Sequence, residues 1–306
     1  MTFSRVAKMV RQYDSAVNVQ KALIRHMIED GGYSPKTIAH AKEHTSIVIK
    51  NYLGDRSLYD ITPADMRQIV QSMNNLAVAT QKSYIFALRS LLRFVHNPAS
   101  ETPVILQADI RPCVDWLTPE EAQTVLNAPL HSIERLAVIL CLCMGLRKIE
   151  LIRLRLQDID EDKEYITVTG KGRAGGKLRL VPFHERFKPA LAEWLTVRKE
   201  LVRGSIYDAP DNLFIWLDRQ HREVKPYNAV KASGMDRLIR RASERCGVHF
   251  SAHTLRRTFG RILWLSGVPV VTIAKILGHS STEQTLLYIG ANLDDMAGAM
   301  RIFSLK

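Results

Sequence analysis

A short segment with strand character lies inside a chain whose patterning is otherwise helical. Tyr165–Thr169 and residues 177–181 are rich in β-branched and apolar side chains, and residues 170–176 between them are glycine-rich and basic. This pattern predicts an antiparallel hairpin with a long basic tip. Because helical patterning resumes on both sides and continues to the end of the chain, we expect a mainly α fold with a small antiparallel β-hairpin or sheet in its C-terminal part, which is an α+β architecture.

A segment without periodicity divides the chain. It contains three prolines: Pro98, Pro103 and Pro112. Proline interrupts both helices and strands, so the segment is typical of a linker. We therefore expect a helical domain over residues 1–97, a linker over 98–115 and a second domain over 116–306.

Several helix starts are marked by an N-cap side chain that directly precedes a proline. The three candidates are Ser34, Thr62 and Thr118. A hydroxyl at the N-cap accepts a backbone N–H, and a proline in the first turn lacks the N–H that would stay unpaired there. Thr118 with Glu121 also forms a capping-box pattern.

The charge of the chain favours a polyanionic partner. The formal net charge is +12, and basic residues outnumber acidic ones 13 to 9 in residues 1–110 and 30 to 22 in residues 111–306. Because both parts are basic, a nucleic acid is a more natural partner than a membrane surface. Charge alone leaves open a basic protein with no role on nucleic acids.

The cysteines and the apolar segments indicate a reduced, cytoplasmic protein without a membrane span. No metal-ligand spacing is present among the cysteines, and the N-terminus lacks the apolar core of a signal peptide. No window reaches the roughly 18 to 20 apolar residues that a span needs. The cysteines are Cys113, Cys141, Cys143 and Cys246.

One predicted helix carries a basic stripe, which consists of Lys82, Arg89 and Arg93. At 100° per residue these three positions fall within about 40° of one another, opposite an apolar face. Such a stripe can lie against DNA phosphates, and it is equally typical of an ordinary solvated helix face.

A set of chemically capable residues follows in order through the second part. Its members are Arg147, Lys171, His253, Arg256, His279 and Tyr288. They supply cationic donors for a phosphate, imidazoles for proton transfer and a hydroxyl that can act as a nucleophile. Each alone is more often structural: Arg147 beside Glu150, Lys171 in a turn, and Tyr288 in a core.

The ordered set resembles the tyrosine recombinase (phage integrase) family. Arg147 in Gly-Leu-Arg-x-x-Glu resembles the family's first catalytic arginine, and Lys171 in Gly-Lys-Gly resembles its hairpin lysine. His253 and Arg256 in His-x-Leu-Arg-Arg resemble the second motif. His279 in Leu-Gly-His and Tyr288 resemble the last histidine and the nucleophile. One departure is a hairpin tip slightly longer than is usual in the family.

The resemblance implies an enzyme that cleaves and rejoins DNA. Tyr288 would form a 3′-phosphotyrosine and release a 5′-hydroxyl, with Lys171 as the acid for that oxygen. The two arginines would hold the phosphate, and no metal or other cofactor is required. Residues 1–97 would be the core-binding DNA-binding domain, and 116–306 the catalytic domain with a tail helix.

The resemblance also implies an assembly of Xer type or of simple integrase type. The expected partner is double-stranded DNA, bound by a homo-tetramer on paired sites. Tail positions 293, 296, 297 and 300 share one predicted helical face, which either contacts a neighbouring protomer or packs on its own domain.

Two alternatives remain at this point. A helix-turn-helix regulator explains residues 259–289 and the charge, although it leaves Arg147 and Lys171 without a role. A family relative without catalytic activity is the other.

Overall fold

The chain forms two units, one made of helices and one of helices with small sheets. The computed structural model describes residues 15–30, 32–106, 115–170, 178–203, 209–217 and 227–290. The division falls between Met1–Ile110 and Arg111–Lys306. Mostly helical structure with small antiparallel sheets confirms the predicted fold class.

The first unit is a packed group of helices. Its α-helices within the described residues are α1 (Ala16–Glu29), α2 (Pro35–Val48), α3 (Pro63–Gln71) and α4 (Val78–Phe94). The predicted caps are present: the Ser34 side chain accepts the Thr37 N–H at 3.1 Å and the Thr62 side chain accepts the Asp65 N–H at 3.2 Å. Leu88, Leu91 and Leu92 of α4 are fully buried in the core of this unit.

The start of the predicted linker belongs to the first unit instead. Pro98–Glu101 form a 3-10 turn, and Ala99 within it is fully buried. The preceding Asn97 side chain donates hydrogen bonds to the Leu58 carbonyl at 2.7 Å and to the Ile61 carbonyl at 2.9 Å. The first proline therefore marks a turn fixed by these hydrogen bonds, and the domain bounds at residues 97 and 115 stay a prediction.

The second unit surrounds a buried central helix. Among its described residues the α-helices are α5 (Pro119–Asn127), α6 (Ser132–Leu142), α7 (Lys148–Arg153), α8 (Phe187–Val202), α9 (Ala232–Cys246), α10 (Ala252–Leu265), α11 (Val270–Leu277) and α12 (Thr282–Ile289). The Thr118–Glu121 capping box at the start of α5 is present. Helix α6 is the central one, and its residues from Leu136 to Leu142 are buried.

The predicted hairpin is present and belongs to a three-stranded sheet. The strands are β1 (Ile159–Asp160), β2 (Tyr165–Thr169) and β3 (Leu178–Pro182), in the order β1-β2-β3. Strands β2 and β3 are antiparallel, with Thr169 opposite Leu178 at the end of the ladder from which the hairpin tip extends. The predicted hairpin tip, residues 170–176, lies almost wholly outside the described residues.

The prediction that only helices follow the hairpin is wrong. Strands β4 (Ile215–Leu217) and β5 (Tyr227–Ala229) pair antiparallel. Each has three residues, which is too short to show a period-two pattern. The Trp194 indole N–H of α8 donates to the Leu213 carbonyl at 2.8 Å and fixes the chain just before β4.

A glycine sets the path of the chain from the central helix into the candidate site. Gly145 has φ of 66°, in the left-handed region that favours glycine. A Cβ at this position would lie 2.5 Å from a ring carbon of Phe259 in α10. The glycine therefore allows α10 to pack closely against the turn that carries Arg147.

Candidate active site

Arg147 lies at the start of α7 and is held by a carboxylate and a carbonyl. Its backbone N–H donates to Glu150 Oε2 at 2.7 Å, and its Nη1 donates to Glu150 Oε1 at 3.0 Å. Its Nη2 donates to the Gly278 carbonyl at 3.1 Å. The side chain remains 21% exposed, so it is oriented without being removed from solvent.

Arg256 of α10 is a fully buried arginine. Its Nη1 donates to the Gly145 carbonyl, and its Nη2 donates to the Leu277 carbonyl at 2.6 Å. Its Nε is buried and makes no hydrogen bond within the described part of the chain. Burial and the neighbouring Arg147 lower the pKa of Arg256 to about 10, which leaves it charged at neutral pH.

Glu150 is the carboxylate around which the arginines gather. It is buried, and Arg179 of β3 binds it with both terminal nitrogens, each at 2.8 Å. Burial raises the pKa of the Glu150 carboxyl, but the hydrogen bonds and charge of Arg179, with Arg147 and Arg256, more than offset this and lower it. We call Arg147, Arg179 and Arg256 around Glu150 the arginine cluster.

His279 follows α11 and contacts the same cluster. Its Nε2 lies 3.2 Å from Arg256 Nη2 and its Nδ1 lies 2.9 Å from Thr285 Oγ1. Because arginine only donates, Nε2 is the acceptor and we assign the proton to Nδ1, facing Thr285. Burial, followed by the charges of Arg256 and Arg147, lowers the pKa of His279 to about 4, so the ring is neutral at pH 7.

Tyr288 of α12 completes the site. Its ring centre lies 5.4 Å from that of His253 and 5.0 Å from that of His279, with both pairs edge to face. The guanidinium carbons of Arg256 and Arg257 lie 5.7 and 5.5 Å from the Tyr288 ring centre.

The Tyr288 hydroxyl is unusual because it is buried and has no hydrogen-bond partner in the described ranges. Burial raises the pKa of this hydroxyl, while Arg256, through its charge and as a nearby N–H donor outside ordinary hydrogen-bond geometry, and the charges of Arg257 and Arg147 act in the opposite direction. The pocket thus keeps the phenol protonated and places cations where a phenolate or a phosphate would carry negative charge.

The structure brings together five of the six predicted site residues. Arg147, Arg256 and His279 are joined through hydrogen bonds around Glu150 and the end of α11, and His253 and His279 flank Tyr288. Lys171 lies outside the described residues, as do the tail positions 293, 296, 297 and 300.

The basic stripe of the first unit makes intramolecular contacts, and its contact with DNA stays a prediction. Arg89 Nη2 donates to the Thr102 carbonyl at 2.8 Å, and Arg93 Nε donates to Glu101 at 2.9 Å. With Lys82 they line a groove of about 290 Å³, whose other lining residues are Ile85, Phe86, Val104 and Leu106. Two of the three side chains therefore hold the segment after α4, a role that helical spacing does not reveal.

Sequence reasoning missed Arg179 as part of the site. The sequence of β3 gives no local signal, because alternation favours Leu178 and Leu180 as the inward pair. In the structure these two are exposed, while Arg179 and Val181 face inward. In a strand with one buried face the apolar side chains normally point to the core. An arginine that shares the inward face with Val181 therefore indicates a buried charged partner, here Glu150.

The described residues contain neither a cluster of metal ligands nor a membrane-spanning helix. No group of three or more His, Cys, Asp or Glu side chains there is arranged to hold a metal ion. In the same ranges, no helix is both long enough and apolar enough to cross a membrane.

Comparison with protein families places this site in a known context. The model of the phage integrase family matches residues 115–294, which include Arg147, Arg256, His279 and Tyr288. The chain belongs to the phage integrase family of tyrosine recombinases. That match covers the second unit, from just before α5 to just after α12.

Relatives and structures agree with the family assignment. Tyrosine recombinase XerC of Corynebacterium glutamicum is 35% identical over 145 residues, which are 47% of this chain and only 42% of that protein. Tyrosine recombinase XerC of Alcanivorax borkumensis is 26% identical over 292 residues, which are 90% of this chain and 89% of that protein. The Tn1549 transposon integrase, in a structure with circular intermediate DNA, has a TM-score of 0.70 at 18% identity and covers 94% of this chain and 99% of that one. The last comparison shows that the fold extends over both units.

Proposed function

We propose that this chain is a site-specific DNA recombinase of the tyrosine type, which cleaves and rejoins double-stranded DNA through a 3′-phosphotyrosine intermediate. This proposal rests on Tyr288, whose hydroxyl is buried without a hydrogen bond of ordinary geometry among the described residues. The ring that carries this hydroxyl lies among Arg256, Arg257, His253 and His279. Buried hydroxyls are normally hydrogen-bonded, so an unpaired one in a cationic pocket suits a group whose partner is the substrate.

The proposed step is a transesterification at phosphorus. Tyr288 Oη loses its proton and forms a bond to the phosphorus of the scissile phosphodiester. The bond from phosphorus to the 5′ oxygen breaks, and that oxygen leaves with its electron pair and takes up a proton. A 5′-hydroxyl of another strand reverses the step and releases Tyr288, so the bond energy is conserved in the phosphotyrosine.

The arginines stabilise the charge that gathers on the non-bridging oxygens. A guanidinium remains charged and binds such oxygens through paired N–H donors. Arg147 is partly exposed and Arg256 has an unpaired Nε, so both have donors for a phosphate. Each such donor is typically worth roughly 3–4 kcal/mol in a transition state.

The proton transfers fall to His253 and Lys171 in this proposal. His253 lies edge to face with Tyr288 and accepts the phenol proton, and Lys171 protonates the leaving 5′ oxygen. His279, neutral at pH 7 and oriented by Thr285, accepts a hydrogen bond from Arg256 through Nε2. It thereby supports the phosphate through Arg256 and supports the position of Tyr288.

A nicked suicide duplex tests this assignment. Cleavage on such a substrate loses the short 5′-hydroxyl strand, so the covalent adduct accumulates and is counted on a denaturing gel. We expect wild-type protein to form the adduct and Tyr288→Phe to form none, at unchanged DNA affinity. An adduct of equal yield with Tyr288→Phe would refute the role of Tyr288, and none with wild type would favour a family relative without activity.

A regulator that only binds DNA is not favoured. Helices α10, α11 and α12 do follow one another along the chain, as a helix-turn-helix unit requires. A regulator of this kind would need neither the buried Tyr288 hydroxyl nor the arginine cluster. Charges buried around one carboxylate are costly to maintain, so their presence supports a chemical role.

We further propose a homo-tetramer on two paired DNA sites, acting in the cytoplasm. Exchange between two duplexes needs four cut strands and so four active sites, with the first unit helping to hold the DNA. Deleting residues 292–306 is expected to spare binding to one site and to weaken the paired complex. Sedimentation of both proteins with one-site and two-site DNA measures this, and an intact paired complex after truncation would contradict the role of the tail.

A further inference from the structure

The end of α11 presents three successive backbone carbonyls to three different arginines. Arg179 Nε donates to the Ile276 carbonyl at 2.8 Å, Arg256 Nη2 to the Leu277 carbonyl at 2.6 Å and Arg147 Nη2 to the Gly278 carbonyl at 3.1 Å. The last carbonyls of a helix carry partial negative charge and lack partners within the helix. A single turn thus orders all three guanidiniums.

Arg179 differs from the other two in how completely its donors are used. Its Nε binds the Ile276 carbonyl, and its Nη1 and Nη2 each bind one oxygen of Glu150. Its side chain is 12% exposed, between 21% for Arg147 and 1% for Arg256, so the use of its nitrogens and not its burial distinguishes it. With every nitrogen already bound, Arg179 is poorly placed to receive a phosphate.

The fit of Arg179 against the turn is close. Gly278 has φ of 63°, and a Cβ there would lie 3.1 Å from Arg179 Cδ and 3.2 Å from its Nη1. Such distances are tighter than ordinary van der Waals contact, so the glycine leaves room for the arginine as well as permitting the left-handed turn. The Arg179 side chain therefore has little freedom to adopt another position.

The charge of Glu150 explains what Arg179 contributes. Three arginines surround one carboxylate, which leaves a net charge of about +2 for a phosphate. Without Arg179 both Glu150 oxygens would be open to the other two arginines. Arg147 already lies 3.0 Å from Oε1, and Arg256 lies 3.8 Å from Oε2. The guanidiniums of Arg147 and Arg256 would then move toward the Glu150 carboxylate and away from a phosphate.

We propose that Arg179 is a positioning residue for the cleavage reaction, which binds Glu150 and the Ile276 carbonyl so that Arg147 and Arg256 keep their orientation and charge for the scissile phosphate. This rests on the proposed roles of Arg147 and Arg256. Arg179 itself contacts neither the phosphate nor Tyr288.

The test compares Arg179→Lys with wild type on two suicide duplexes, one with the normal scissile phosphodiester and one with a methylphosphonate there. The methylphosphonate replaces a charged non-bridging oxygen by a methyl group, so its transition state gathers less negative charge and needs the arginines less. Lysine keeps the charge but replaces three fixed donors with one flexible ammonium.

We expect Arg179→Lys to slow single-turnover cleavage of the phosphodiester by about 10- to 100-fold, the range for residues that orient a reacting group through another. On the methylphosphonate the loss should fall below about three-fold, and DNA affinity should stay within about two-fold. A merely structural role predicts equal losses on both substrates, and that result would overturn the proposal. Cleavage of both substrates at the wild-type rate would overturn it too.

A second pair of variants tests the charge argument directly. Arg179→Met leaves Glu150 free to bind Arg147 and Arg256, whereas Arg179→Met with Glu150→Gln removes the competing charge as well. We expect the double variant to cleave faster than the single one, and a slower or equal rate would contradict the charge argument. If Arg179→Met does not fold, Arg179→Lys alone decides the proposal.

Arg198→Lys is the matched control. Arg198 of α8 is also partly buried and donates to two carbonyls, those of Pro210 and Asn212. We expect its cleavage rates within about two-fold of wild type. Wild type and Arg256→Ala in the same assay separate the two possible failures. If wild type forms no adduct, the proposed function fails, whereas an active wild type with an equally active Arg179→Lys overturns only the role of Arg179.

Discussion

The two units both carry clustered arginines, but they use them differently. In the basic stripe of the first unit, Arg93 pairs with Glu101 at 2.9 Å, and the two side chains are 52% and 70% exposed. In the arginine cluster of the second unit, Glu150 is buried and contacts three arginines, of which Arg256 is buried as well.

The difference shows that burial, and not the number of basic residues, separates the two groups. Exposed ion pairs are screened by water and contribute little, whereas buried charges interact strongly and must be matched. The stripe therefore holds a surface segment and adds to the general positive charge. The cluster fixes the direction of individual N–H donors, which is what stabilisation of a transition state requires.

The largest contrast is expected when each cluster loses its carboxylate. Glu150→Gln should lower the free energy of unfolding by about 3 kcal/mol, because buried arginines lose their counter-charge. Glu101→Gln should lower it by less than about 1 kcal/mol, because that pair is exposed. All four tryptophans lie in the second unit, so their fluorescence measures the urea unfolding of that unit in the Glu150→Gln variant. Because the first unit contains no tryptophan, urea unfolding of the Glu101→Gln variant is measured by circular dichroism. Equal effects would remove the distinction between the two groups.

Loss of an arginine should separate them in catalysis. Arg256→Ala and Arg147→Ala should each slow cleavage of the suicide duplex by roughly 100-fold or more, the cost of losing a preorganised donor. Arg93→Ala should leave the rate at saturating protein within about three-fold, because the stripe is not expected to touch the scissile phosphate. If Arg256→Ala cleaves at nearly the wild-type rate, the arginine cluster has no larger role in catalysis than the basic stripe.

The stripe should appear in the salt dependence of DNA binding. Three phosphate contacts would contribute about −2.7 to the slope of log affinity against log salt. Because Arg89 binds the Thr102 carbonyl and Arg93 binds Glu101, we expect the Ala triple variant of Lys82, Arg89 and Arg93 to flatten the slope by only about 1. Fluorescence anisotropy at several salt concentrations measures this, and an unchanged slope would assign the stripe to structure alone.

The smallest effect concerns the pH dependence that His279 gives to stability. Its pKa is about 4 in the folded chain against an ordinary 6.5. Between these values the unfolded chain binds more protons, so the free energy of unfolding falls as the pH is lowered through this window. Wild type should therefore lose more stability than His279→Gln on acidification, by about 1 kcal/mol after solvent screening. Parallel curves from urea unfolding at a series of pH values would contradict the depressed pKa.

The sequence predicted the elements whose signals are local. The caps at Ser34, Thr62 and Thr118 were predictable because each depends on neighbouring residues alone. The hairpin strands were predictable because five residues suffice to show strand composition.

Features that depend on distant partners were not predictable in this way. Strands β4 and β5 are too short for a pattern, and Arg179 lies 29 positions from the carboxylate it binds. The packing of the turn at Pro98 on the first unit has no local signal either, because the hydrogen bond from Asn97 to Leu58 that stabilises it spans 39 positions. The site residues themselves were recognised from their order along the chain, and their geometry required the fold.

The measurement that tests the central claim most directly is identification of the residue that becomes linked to DNA. Wild-type protein trapped on a suicide duplex is digested with trypsin and nuclease, and the modified peptide is sequenced by mass spectrometry. We expect a nucleotide attached through its 3′ phosphate to Tyr288, and no such peptide from Arg256→Ala at short reaction times. A link to another residue, or to the 5′ end of the cleaved strand, would contradict it.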